Sequence, residues 1–198
     1  MRYNVSGIGQ VREDIWFTGD TNFFNDDVMR DLGRPFSNTY DMNDYIVEKW
    51  NRKVGKNDIV YHLGNFGDAE KKELSKLISR LNGRINLIVG ATDKNENILS
   101  LRNKLASVNY RLDFRIDNWR ITLNSYPQRF WKDQHKGSVH LHSYTCGTVP
   151  SDQYSLCLDV GVDTTNDLAP YNWEEIKELM QLKSEYIEFQ KRRFAIGI

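Results

Sequence analysis

The 198-residue chain has only two cysteines, Cys146 and Cys157, four prolines and four histidines, and no surplus of either charge, with 27 basic and 27 acidic side chains. Two cysteines are too few for a disulfide framework. The balanced charge, with a pI near 6.9, argues against a general nucleic-acid binder, which needs a basic face worth several phosphate contacts. No apolar run approaches the ~20 residues of a membrane helix, and no charged-then-apolar leader opens the chain. No linker rich in Pro, Gly or Ser interrupts it, so one domain over residues 1–198 is expected. The expectation is a reduced, soluble, cytoplasmic protein, of the host cytoplasm if viral, with no membrane partner and with homo-oligomers left open.

What is present is a series of apolar runs that end abruptly in polar residues. Ile15-Trp16-Phe17-Thr18 runs into Gly19-Asp20-Thr21-Asn22, which reads as a buried strand presenting Asp20 and Asn22 at its C-terminal tip. In α/β sheets that end collects ligands, because strand-end loops and helix N-termini converge there. A second strand, 58–63, turns out through Gly64-Asn65, and a third, 84–89, ends at Gly90-Ala91-Thr92-Asp93. Asn65 reads either as a plain turn residue or as a site residue. Between them, Asp41 is expected to cap a helix to about Lys53 that buries Met42, Ile46 and Trp50, and Leu74, Leu77, Ile78 and Leu81 mark an amphipathic helix.

Farther on, a helix is expected over 96–106, then a hairpin over 114–123 with Asp117-Asn118 at its turn. Strands follow at 138–142 and 156–161, and a last helix at 173–190 buries Ile176, Leu179 and Met180. Lys191-Arg192-Arg193 are expected at its C-terminus, where the macrodipole favours cations. The segment 129–136 is either a site cover or a solvated loop. Arg34 is either a loop anchor paired with a carboxylate or a phosphate-facing guanidinium.

Five stretches carry a resemblance: Asp20-Thr21-Asn22, His62-Leu63-Gly64-Asn65-Phe66, Gly90-Ala91-Thr92-Asp93, Ser125-Tyr126-Pro127 and His142-Ser143-Tyr144-Thr145-Cys146-Gly147. In order and spacing they resemble the five blocks of the calcineurin-like metallophosphoesterases of the small bacterial and phage type, written D-x-H, H-L-G-D-F, G-N-H-D, H-Y-P and H-G-H-T-H-G. Arg34-Pro35-Phe36, Trp50-Asn51 and Gly161-Val162-Asp163 add to it. The resemblance implies an α/β fold, a two-sheet β-sandwich flanked by helices.

It also exposes departures. Asn22 stands where the family has a metal-binding His, Asn65 replaces the bridging Asp, and Ala91 replaces a ligand Asn. Thr92 replaces the catalytic His, Ser125 a His ligand, and Tyr144 and Cys146 the last His pair. Of the ligands only Asp20 remains, and Asp93 has lost the His it would orient.

Two divalent cations need a bridging carboxylate and further anionic or imidazole ligands. Without them nothing activates a water, and without the His no general acid serves the leaving group. No catalytic residue, metal or cofactor is therefore expected. The emptied site, Asp20, Asn22, Arg34, Asn65, Thr92, Asp93, Ser125, Tyr126, His142, Tyr144 and Cys146, is read as the binding site of a phosphorylated, nucleotide-like small molecule. Its neutral amides and hydroxyls would donate into one pocket. Given the phage-type wording, a sponge for a host immune nucleotide signal is one version. Three alternatives stand beside it. One is an interaction scaffold using exposed Trp16, Trp131 or Phe130; another is a residual phosphodiesterase with one metal on Asp20 and Cys146. The third is a zinc site at Cys146 and His142.

Overall fold

The computed structural model describes residues 13–94 and 96–195. It has helices on a sheet on a second sheet, the α/β arrangement that the resemblance implies. The first sheet has order β4-β3-β2-β1-β9, built from β1 (Ile15–Thr18), β2 (Ile59–His62), β3 (Arg84–Ile88), β4 (Ser107–Asn109) and the antiparallel edge β9 (Tyr171–Asn172). The second has order β5-β6-β7-β8, from β5 (Arg111–Ile116), β6 (Trp119–Asn124), β7 (Val139–His142) and β8 (Cys157–Asp159).

Alternation along β1 shows how the layers form. Successive side chains of a strand face opposite ways, so Trp16 enters the core under the helices and Phe17 the core between the sheets. The first core joins β1, β2 and β3 to α2 (Thr39–Lys53) and α3 (Lys71–Ile78) through Trp16, Met42, Ile46, Trp50, Leu74 and Leu77. The second joins Phe17, Leu63 and Ile88 to Ile121, Leu123 and Leu141, and Trp173, Ile176 and Met180 of α5 (Trp173–Ala195) close it.

Several boundaries differ from the sequence expectation. The cap of α2 is Asn38, whose Oδ1 takes the Asp41 N–H at 2.9 Å, so Asp41 lies in the first turn. The 96–106 segment forms only α4 (Glu96–Leu99) and a 3-10 turn, Arg102–Lys104, before β4. A short α1 (Asp26–Asp31) and the strands β4 and β9 were not expected. Leu179 is exposed rather than buried. Trp16 and Trp131 are buried, the latter by an indole N–H donated to the Ser138 carbonyl, so of the three aromatics named for a docking patch only Phe130 is exposed. Helix α5 continues past Gln190, and the side chains of Lys191 and Arg193 lie outside the described residues. The hairpin turn is as expected, with Asp117 at φ 52°. Among the described residues no helix is long and apolar enough to cross a membrane.

Candidate functional site

The parallel strands β1, β2 and β3 end side by side, and the second sheet reaches the same point where Gly19 bridges Gly161. The chain turns sharply there. Asp20, Asn22, Asn65, Tyr144 and Cys146 all have positive φ, between 47° and 76°, a region costly to non-glycine residues and concentrated at functional loops. Glycine is required where the second and third loops touch. A Cβ on Gly64 would lie 2.7 Å from Gly90 Cα and 2.6 Å from Ser125 Oγ.

At the centre Asp20 is fully buried. Asn65 Nδ2 donates to its Oδ1 at 2.9 Å, and the Cys146 N–H donates to its Oδ2 at 3.1 Å. Burial, aided by the charge of Asp159, raises its pKa to about 6 against the pull of those hydrogen bonds. Asn22 Nδ2 donates to the Asp20 carbonyl at 3.0 Å, and Asn65 Oδ1 accepts from the Thr92 hydroxyl at 3.2 Å. Asn65 thus ties Asp20 to Thr92 and is more than a plain turn residue.

Asp93 keeps its buried carboxylate without the His of the family pattern. It accepts three backbone N–H groups, from Asn65, Phe66 and Gly90, each at 2.8 Å. The backbone of the adjoining loops supplies these donors. The Lys94 side chain lies outside the described residues. Asp93 therefore clamps two loops together, and burial raises its pKa despite those bonds.

Arg34 resolves as an anchor. Its Nε and one terminal nitrogen grip Asp163 at 2.8 and 2.7 Å, and its terminal nitrogens also reach the carbonyls of Asp20 at 2.7 Å and Thr21 at 2.8 Å. A guanidinium so engaged, and buried, has no face left for a phosphate. Ser125 Oγ is buried without a partner, and the rings of Tyr126 and Tyr144 meet at the surface tilted by 51°, with centroids 4.6 Å apart.

The amides expected to face a ligand are consequently spent within the protein. The residues present do not fit two divalent cations either, because Asn65 turns an N–H donor towards Asp20 where a bridging pair needs a second anionic ligand. Among the described residues no group of three or more His, Cys, Asp or Glu is placed to hold a metal. Burial and the Asp20 carboxylate beside it push the Cys146 thiol far above its ordinary value, against the thiolate that zinc requires.

The Nδ1 of His142 lies 3.0 Å from the Ser143 carbonyl, and His142 lines a cavity of about 690 Å³ together with Gly147, Asp159 and Asp163. Arg129 and Trp131 of that cavity belong to the 129–136 segment read as a site cover or a solvated loop, whereas Gln128 and Asp159 were missed. Nothing in their local pattern marks them, since they meet only when β7, β8 and α5 pack.

No family model matches the chain. An uncharacterized protein of Methanocaldococcus jannaschii is 37% identical over 82 residues, covering 40% of this chain. The match spans about half, 47%, of that relative's length. The gene 66 protein of Mycobacterium phage D29 is 26% identical over 199 residues, covering 84% of this chain and 96% of that one. Among solved structures, a protein of unknown function from Aquifex aeolicus superposes with a TM-score of 0.64 at 18% identity, over 85% of this chain and 100% of its own. That likeness is one of fold. A Streptococcus pneumoniae TIGR4 protein described as a predicted phosphoesterase superposes at a TM-score of 0.38 and 17% identity, over 77% of this chain and 73% of that one.

Proposed function

We propose that this chain is a calcineurin-like phosphoesterase-fold protein that has given up hydrolysis and binds a phosphorylated, nucleotide-like small molecule without cleaving it. The observation that carries the reading is the 2.9 Å hydrogen bond from Asn65 Nδ2 to Asp20 Oδ1. An amide proton stands where two-metal chemistry needs a shared cation, so neither water activation nor a clamp on the leaving oxygen is available. Binding is supported by the cavity beside this centre, whose size suits a nucleotide. The phage relative fits a sponge that sequesters a host nucleotide signal, the finer form of the same reading.

Two measurements test it together. The protein is heated with and without a panel of mononucleotides and cyclic nucleotides at millimolar concentration, where even weak ligands stabilise a fold. It is also offered a chromogenic phosphodiester with manganese. A raised Tm without turnover is the expected result. Turnover lost on Asp20→Ala would overturn the non-hydrolytic half, and no shift with any nucleotide would overturn the binding half.

A further inference from the structure

Helix α5 carries two apolar stripes. Trp173, Ile176 and Met180 form the one that joins the core between the sheets. The other runs through Leu179, Leu182, Tyr186 and Phe189 and lies at the surface. Leu179 is 39%, Leu182 65% and Phe189 56% exposed, while Tyr186 is half-buried beside the ring of the exposed Tyr154.

The steps along this second stripe are three, four and three residues. A helix that packs only on its own domain needs a single apolar face. Apolar residues repeating every three and four positions are instead the seam of a two-stranded coiled coil, where each side chain enters a hole on a facing helix. A contiguous exposed row of this kind marks a contact surface.

The flanks of the seam indicate which helix faces it. On one flank Lys183 is committed to its own chain, its ammonium donating to the Ser151 hydroxyl and to the carbonyls of Asp152 and Cys157. The other flank presents Glu178, Glu185 and Arg192 at seven-residue intervals, all exposed. The sequence of α5 is acidic at its start, with Glu174, Glu175 and Glu178, and basic at its end, with Lys191, Arg192 and Arg193. A parallel neighbour of the same sequence sets like charges side by side. An antiparallel one lays each acidic start on a basic end and opposes the two macrodipoles.

We propose that a second copy of this chain covers the stripe, as an antiparallel pair of α5 helices about a two-fold axis. Such an interface is self-complementary, so each contact occurs twice. Leu179 packs on the partner's Phe189, Leu182 on the partner's Tyr186, and Glu178 faces the partner's Arg192. Glu185 meets its own copy at the axis, an unfavourable pair. Four seam residues from each copy make a small interface, of the weak, concentration-dependent kind. The pairing needs no ligand.

Sedimentation equilibrium of the full chain at about 50 mM salt, over about 1 to 500 µM protein, tests the proposal. A monomer–dimer equilibrium is expected. Leu182→Glu, at an exposed position, should weaken the dimer at least about tenfold and leave the Tm at about 1 µM unchanged. Glu178→Arg and Arg192→Glu each set like charges together and should each weaken self-association about threefold or more. An equimolar mixture of these two variants should associate more tightly than either alone, because both end pairs are then opposite in sign. Glu185→Gln should tighten the dimer by removing the like pair at the axis. A monomer throughout the range would overturn the proposal, as would a dimer indifferent to Leu182→Glu. A dimer lost on Leu182→Glu whose charge variants associate no better mixed than alone would overturn the antiparallel order.

Discussion

Two neighbouring regions of this protein treat their polar groups in opposite ways. At the Asp20 centre the carboxylates of Asp20 and Asp93, the amides of Asn22 and Asn65 and the guanidinium of Arg34 are bonded to one another or to backbone. Ser125 Oγ is the exception at that centre, and beside the cavity Gln128 Oε1 is likewise buried and unpaired. A polar group satisfied inside the protein contributes to the fold and is lost to a ligand, whereas an unsatisfied buried one burdens the fold. A centre whose amides and carboxylates bond one another and the backbone is a knot that holds loops.

The contrast can be broken at its strongest point. Arg34→Ala leaves Asp163 without its counter-ion and two carbonyls without donors, and should cost about 3 to 5 kcal/mol in urea unfolding. A loss below about 1 kcal/mol would mean that Arg34 is not part of the knot. Asn65→Asp places a carboxylate against Asp20 where an amide now donates, and should cost about 3 kcal/mol at pH 8. Much of that should return below pH 6, as the pair shares a proton, or on adding manganese. Unchanged stability at pH 8 would show that the centre is not saturated.

Acid unfolding sharpens the same picture. His62 is held neutral by burial, its pKa lowered to about 3, and His140 likewise to about 4. Both bind a proton more readily when unfolded, so their contribution is present above about pH 6.5 and is lost as pH falls, roughly 2 kcal/mol each between pH 7 and 5. Asp20 has the opposite sign. With a folded pKa of about 6 it binds its proton more tightly in the native state, and returns about 1 kcal/mol over the same window. A net loss of about 2 kcal/mol or more is expected from pH 7 to 5, followed by chemical unfolding at each pH; a gain would contradict the neutral histidines. Smallest is Ser125→Ala. Its hydroxyl is buried without a partner, so the change should stabilise by about 1 kcal/mol, and a loss would reveal a bond that the contrast omits.

The sequence by itself determined the layers and the meeting point. Period-two alternation in Ile15–Thr18 and the helical spacing of Met42, Ile46 and Trp50 are local patterns. The polar residues closing each run were bound to gather at the strand tips, because parallel strands end together. Tertiary structure decided what those residues do. Whether Arg34 faces a ligand or Asp163 depends on a partner 129 positions away. That three backbone N–H groups serve Asp93, or that the Asn65 amide meets Asp20 45 residues off, depends on loop approach that no local pattern encodes. The cavity is the extreme case, since Gln128, His142 and Leu179 come from separate elements and share no periodicity. Burial and hydrogen-bond satisfaction are properties of the assembled fold, and they separate the knot from the pocket.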